Sequence, residues 1–115
     1  MRREEMAERT KKFALRVIRL VSKLPKSDVC RVIGGQLLRS GTSVGSNYRE
    51  ASRCSTRKHF ASTMSVALRE ADETLYWLEL LSESETVKAS LLKDLVNECS
   101  QLVAILAASV KTATR

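Results

Sequence analysis

An all-α fold is predicted, an antiparallel up-down-up-down four-helix bundle. Three observations lead there. Apolar residues recur at spacings of three and four along most of the chain. Strand signals are absent: no run alternates β-branched with polar residues, and aromatics make up 4%. Four periodic segments are joined by short stretches carrying helix stops and caps, so consecutive helices are expected to be antiparallel neighbours. The 115 residues suit one domain, residues 1–115, with frayed ends expected at about 1–5 and 111–115.

The first helix is expected from about Glu5 to Lys23. Its apolar stripe is Phe13, Val17, Leu20 and Leu24, and Pro25 breaks it. Ser27 is a cap for the second helix, and Asp28 suits its first turn. The second stripe reads Val29, Ile33, Leu37, Ser40, Val44, Tyr48 and Ala51. Ser55 and Thr56 stand where the third helix should start. Its stripe is Phe60, Met64, Ala67, Ala71, Leu75 and Leu78. Ser82 to Glu85 has the spacing of a capping box before the fourth helix. That helix carries Leu91, Leu95, Cys99, Leu102 and Leu106 and continues to about Val110.

Four glycines challenge the second helix, each costing about 1 kcal/mol in a helix interior. On a helical wheel Gly34, Gly41, Gly45 and Ser52 share one strip beside the core stripe. Small residues there let another helix approach closely. A break near Gly34–Gly35 is the alternative.

Composition narrows the function. A membrane span is excluded, because the longest apolar run, Leu102 to Ala108, falls far short of about 20 residues. No secretory signal is read in the charged stretch Met1 to Lys12. Cys30, Cys54 and Cys99 are odd in number and widely spaced, which suits reduced thiols and a cytoplasmic location. They lack zinc-ligand spacing, and His59 is the single histidine, so no metal site and no cofactor are expected. Glu70 and Glu73 lack the histidines of a di-iron bundle. No nucleophile motif or phosphate loop is present, and no enzymatic activity is expected.

The net charge of +7 is unevenly spread. Residues 1–60 hold 15 Lys/Arg against 5 Asp/Glu, a net of +10; residues 61–115 hold 5 against 8, a net of −3. Arg9, Lys12, Arg16, Arg19 and Lys23 step by three and four, forming a ridge away from the core stripe. Arg49 and Arg53 share another face with Arg31, and Arg57 and Lys58 extend that patch into the third helix. Cations in successive turns can track a phosphate backbone. Without interleaved aromatics, shape and charge would dominate over base reading. RNA or DNA is therefore the expected partner, ahead of an anionic membrane surface, for which the ridge lacks exposed aromatics. Alternatively the basic surface serves subunit or protein contacts in a structural module.

Two helices show surplus apolar surface. The third carries a second seam of Val66, Glu70, Glu73, Trp77 and Leu80 about 120° from its core stripe. On the first, Leu15 and Ile18 rotate away from the core face. A seam centred on Trp suggests a subunit interface. Its carboxylates then need partners, and Arg39 and Arg31 are the candidates, on the same chain or a neighbour.

Several motifs carry a resemblance. The run Gln36-Leu-Leu-Arg39-Ser40-Gly-Thr-Ser43-Val-Gly-Ser-Asn47-Tyr-Arg-Glu50-Ala51 resembles the signature of the 23S rRNA intervening-sequence proteins. So do Leu24-Pro25, Phe60 and Ala67-Leu-Arg-Glu70-Ala-Asp-Glu73-Thr74-Leu-Tyr-Trp77-Leu78. The resemblance implies a four-helix bundle that assembles as a homopentamer in bacteria. A related branch comprises accessory proteins of diversity-generating retroelements, which bind nucleic acid and a reverse transcriptase. By resemblance, a reverse transcriptase is thus a further candidate partner. No catalytic residue is implied. One departure is Val44-Gly45, where several members carry Ile-Pro, leaving open how the second helix bends there.

Overall fold

Four helices account for almost the entire chain: α1 (Arg3–Ser22), α2 (Asp28–Ser52), α3 (Arg57–Glu83) and α4 (Ala89–Ala113). The structure, a computed structural model, describes residues 1–115. It is a rod of 44 × 21 × 20 Å. Antiparallel order follows from the contacts. Gly45 lies against Thr10, Gly41 against Val17, and Gly34 against Leu24. Farther along, Ser40 meets Thr74, and Cys99 meets Ala71. The helices therefore run up, down, up, down, and α1 and α4 close the bundle least tightly.

The cap at Ser27 forms as expected, and of Ser55 and Thr56 it is Thr56 that caps α3. Each side chain accepts a backbone N–H three residues on, from Cys30 and His59 respectively, at 3.1 Å. The capping box at Ser82–Glu85 does not form. Leu81 is buried, so the core stripe carries α3 on to Glu83. The chain then turns through Glu85, whose φ of 60° is left-handed. Lys88 precedes α4 and offers no side-chain cap.

The core joins Phe13, Val17, Leu37, Val44, Met64, Leu78, Leu102 and Leu106 with smaller residues. Two stripe positions are misplaced by the sequence reading. Val29 and Leu91 are exposed, while Cys30 and Leu92 are buried in their stead. Both lie in the first turn of a helix. Extending a stripe backwards in steps of four drifts about 40° per step, and the buried positions instead step by three and four. Phe60 and Leu75, also expected in the core stripe, are only half-buried; Ala61, Thr63 and Thr74 are buried.

α2 is helical without interruption through all four glycines. The small-residue strip receives α1. A Cβ at Gly41 would sit 2.9 Å from both Val17 methyl carbons, and one at Gly45 would sit 3.2 Å from Thr10 Oγ1. Gly35 faces open space. Helix also enters the terminal stretches expected to fray. Arg3 donates to the carbonyl of Ser52 (3.1 Å), and Arg57 donates to those of Thr112 and Ala113 (2.9 and 3.0 Å). These bonds tie both ends of the chain to the α2–α3 turn.

Candidate nucleic-acid interface

The nine cations assigned to phosphate contact separate into paired and unpaired groups. Arg9 belongs to the first. Its guanidinium grips Glu98 of α4 with two bonds of 2.7 Å and reaches Gln101 Oε1 at 2.8 Å. The bond to Glu98 holds the Arg9 pKa above its ordinary value, against the opposing effect of burial. Arg9 is thus a clamp across the α1–α4 seam, not a free phosphate ligand. Arg57 is similarly engaged with the last carbonyls of α4. There it also complements the negative end of that helix.

Lys12, Arg16, Arg19 and Lys23 have no carboxylate within 4.0 Å, and neither do Arg49, Arg53 and Lys58. All are exposed except Arg16, which is half-buried. Lys12 to Lys23 spans about 16 Å of helix. A duplex strand carries about five phosphates over that length. The second group lies elsewhere. Arg49 and Arg53 surround a shallow surface with Ser46, Glu50, Cys54, Ser55 and His59. Because Gly45 faces Thr10, this patch is level with the first turns of α1, at the opposite end from Lys23.

The proposed interface seam is built around Arg39. Its Nη1 lies 3.2 Å from both carboxylate oxygens of Glu70, and Nη2 bonds Glu73. Trp77 Nε1 donates to Glu73 at 3.0 Å, and Gln36 accepts from Arg39 Nε at 3.2 Å. The Trp77 bond, with help from Arg39 and against burial, holds the Glu73 carboxyl below its ordinary value. The Arg39 pKa is raised, chiefly by Glu73 and then Glu70. The carboxylate partner is therefore Arg39 of the same chain. Arg31 instead lies 3.6 Å from Asp28.

Val66 and Leu80 flank this network half-buried, while Leu15 and Ile18 are exposed on α1. Sequence reading missed Val32 and Tyr76, both over half exposed beside this seam, and Leu38, exposed on α2. Tyr76 packs edge-on to Trp77 with ring centroids 5.2 Å apart. It also missed Glu98 and Gln101 as the acceptors for Arg9. The excess of carboxylates in residues 61–115 was the available signal, but it named no position.

Cys99 is buried, its thiol pushed up to about 12, mainly by loss of solvent. No three His, Cys, Asp or Glu side chains group together to hold a metal ion. No helix is long and apolar enough to cross a membrane.

Residues 2–108 match the family described as 23S rRNA-intervening sequence protein. The chain belongs to this family. The two sequence blocks that resemble intervening-sequence proteins lie on α2 and α3, where Arg39 joins one block to Glu70 and Glu73 of the other. A similar crystal structure is that of a protein of unknown function from the S23 ribosomal protein family of Bacteroides thetaiotaomicron VPI-5482. It has a TM-score of 0.88 and 33% identity, covering 96% of this chain and 99% of that one. Among curated proteins, none matches this chain.

Proposed function

We propose that the protein is a non-enzymatic, cytoplasmic, homo-oligomeric accessory protein that binds RNA or DNA through backbone phosphates. Lys12, Arg16, Arg19 and Lys23 form the principal contact, with Arg49, Arg53 and Lys58 as a second. The observation that carries this reading is selective pairing. Arg9 and Arg39 are tied into carboxylates, while these seven cations have none within reach. Clustering unpaired cations costs self-repulsion, which phosphates would relieve. No aromatic interrupts the α1 ridge, so recognition follows shape and charge.

Assembly would use the Trp77 seam of α3 and the Leu15–Ile18 face of α1. The homopentamer implied by the family resemblance would repeat the basic faces around a ring. Repetition would raise avidity without new contacts. A second reading, a protein-interaction module, is favoured by one observation: Arg16, Arg19 and Lys23 border leucines of α1 and α4.

The test is charge reversal at Arg16→Glu/Arg19→Glu, both outside the core. Affinity for an RNA duplex or hairpin should fall at least tenfold, with the helical circular-dichroism signal and thermal midpoint near wild type. Unchanged affinity would clear the α1 ridge of the role.

A further inference from the structure

Below the Arg9 clamp the α1–α4 seam opens into a groove of about 720 Å³. Leu20 of α1, Leu24 just beyond its end, and Leu91, Leu92 and Leu95 of α4 line it, with Val87 at one end. Leu91 is 72% exposed, while its neighbour Leu92 fills the core position. Arg16, Arg19, Lys23 and Lys88 stand around this apolar lining, opposed by the single carboxylate of Asp94. None of these five charges makes an ion pair within the chain. The uncapped N-terminus of α4 lies at the mouth and adds partial positive charge.

The geometry points to this groove as the docking site for an acidic amphipathic helix of a partner protein. The lining asks for apolar side chains, and the rim asks for carboxylates. One helix face supplies both, with apolar anchors at i, i+3, i+4 and i+7 flanked by Asp or Glu. The groove runs from Arg16 of α1 to Pro25 in the turn after it, so two to three turns of a partner would fill it, about 13 Å. Nucleic acid fits the lining poorly, because the groove holds no aromatic for a base to stack on. A second copy also fits poorly. The exposed acidic stripe of α3, Asp72, Tyr76, Glu79 and Glu83, offers one apolar anchor against Leu20, Leu24 and Leu91, the accessible leucines of the lining. The inference goes beyond nucleic-acid binding, although a helix docked here would compete with phosphates for Arg16, Arg19 and Lys23.

The test uses a fluorescent 15-residue peptide with leucines at i, i+3, i+4, i+7 and i+11 and glutamates on its flanks. Its control has the same composition with the leucine phase scrambled. The full-length protein should bind the phased peptide at least tenfold tighter by fluorescence anisotropy. Leu91→Ser should weaken the peptide at least tenfold and leave duplex RNA affinity unchanged. Lys23→Gln/Lys88→Gln should weaken the peptide too. Equal binding of the scrambled peptide would overturn the proposal, as would full affinity in Leu91→Ser. A drop in oligomeric mass for Leu91→Ser would assign the groove to a second copy and also overturn it. A parallel loss of RNA affinity in Leu91→Ser would assign the groove to nucleic acid instead. Because Leu91 lies outside the ridge, failure of RNA binding in wild type leaves the peptide result to be read separately.

Discussion

At Glu73 an indole N–H and a guanidinium converge on one carboxylate, and the charged form is favoured despite partial burial. The folded state therefore holds this proton less tightly than the unfolded chain does. That contribution to stability is complete above the ordinary carboxylate value of 4.5 and is lost as pH falls through the lowered one. Thermal melts from about pH 7 down to about pH 3 should show wild type losing stability faster than Glu73→Gln, with the curves converging at the acid end. Parallel curves would contradict the assignment. The pairing itself was partly legible. Glu70 and Glu73 on a seam demanded cations, and Arg39 was one of two named. Arg9 was not legible in the same way. Its partner is 89 residues away, and helical periodicity places it on a ridge without showing what α4 presents opposite.

The glycines of α2 are the clearest test at the level of the helix. Gly41 is where α1 makes its nearest approach, so Gly41→Ala must displace Val17, whose methyl carbons lie 2.9 Å from the new Cβ. A cost of about 1–3 kcal/mol is expected from overpacking. Gly35→Ala meets nothing within 4 Å and should stabilise by about 0.5–1 kcal/mol, since the helix loses a flexible residue. Urea unfolding of the two variants should give opposite signs; equal signs would mean α1 does not seat on this strip. The wheel had placed Gly41 and Gly45 on the strip correctly. The cap at Ser27 was also legible, as was the start of α3 at Ser55–Thr56, because a hydroxyl just before an apolar stripe suits a helix start. The α3–α4 turn was not. There burial of Leu81 extends the helix past a serine that local pattern would make a cap. Tertiary burial outweighs local propensity at that point.

For the whole molecule, a four-helix bundle followed from periodicity and short connections, and the family was legible in two blocks that meet across α2 and α3. The +7 charge was legible as a total and as a gradient. Which cations remain free was not, because that depends on which carboxylates the fold brings near them. Assembly through the Trp77 seam and the Leu15–Ile18 face means that Trp77→Ala, and separately Ile18→Glu, should lower the mass measured by light scattering. A monomeric wild type would contradict it. Phosphate binding by the unpaired cations is open to a single titration. Affinity of the full-length protein for duplex RNA is measured across salt from about 50 to 200 mM. With four phosphates engaged by Lys12, Arg16, Arg19 and Lys23, the log–log slope should be steeper than about −3. Absence of binding at the lowest salt, or an affinity indifferent to salt, would rule out phosphate binding by these cations.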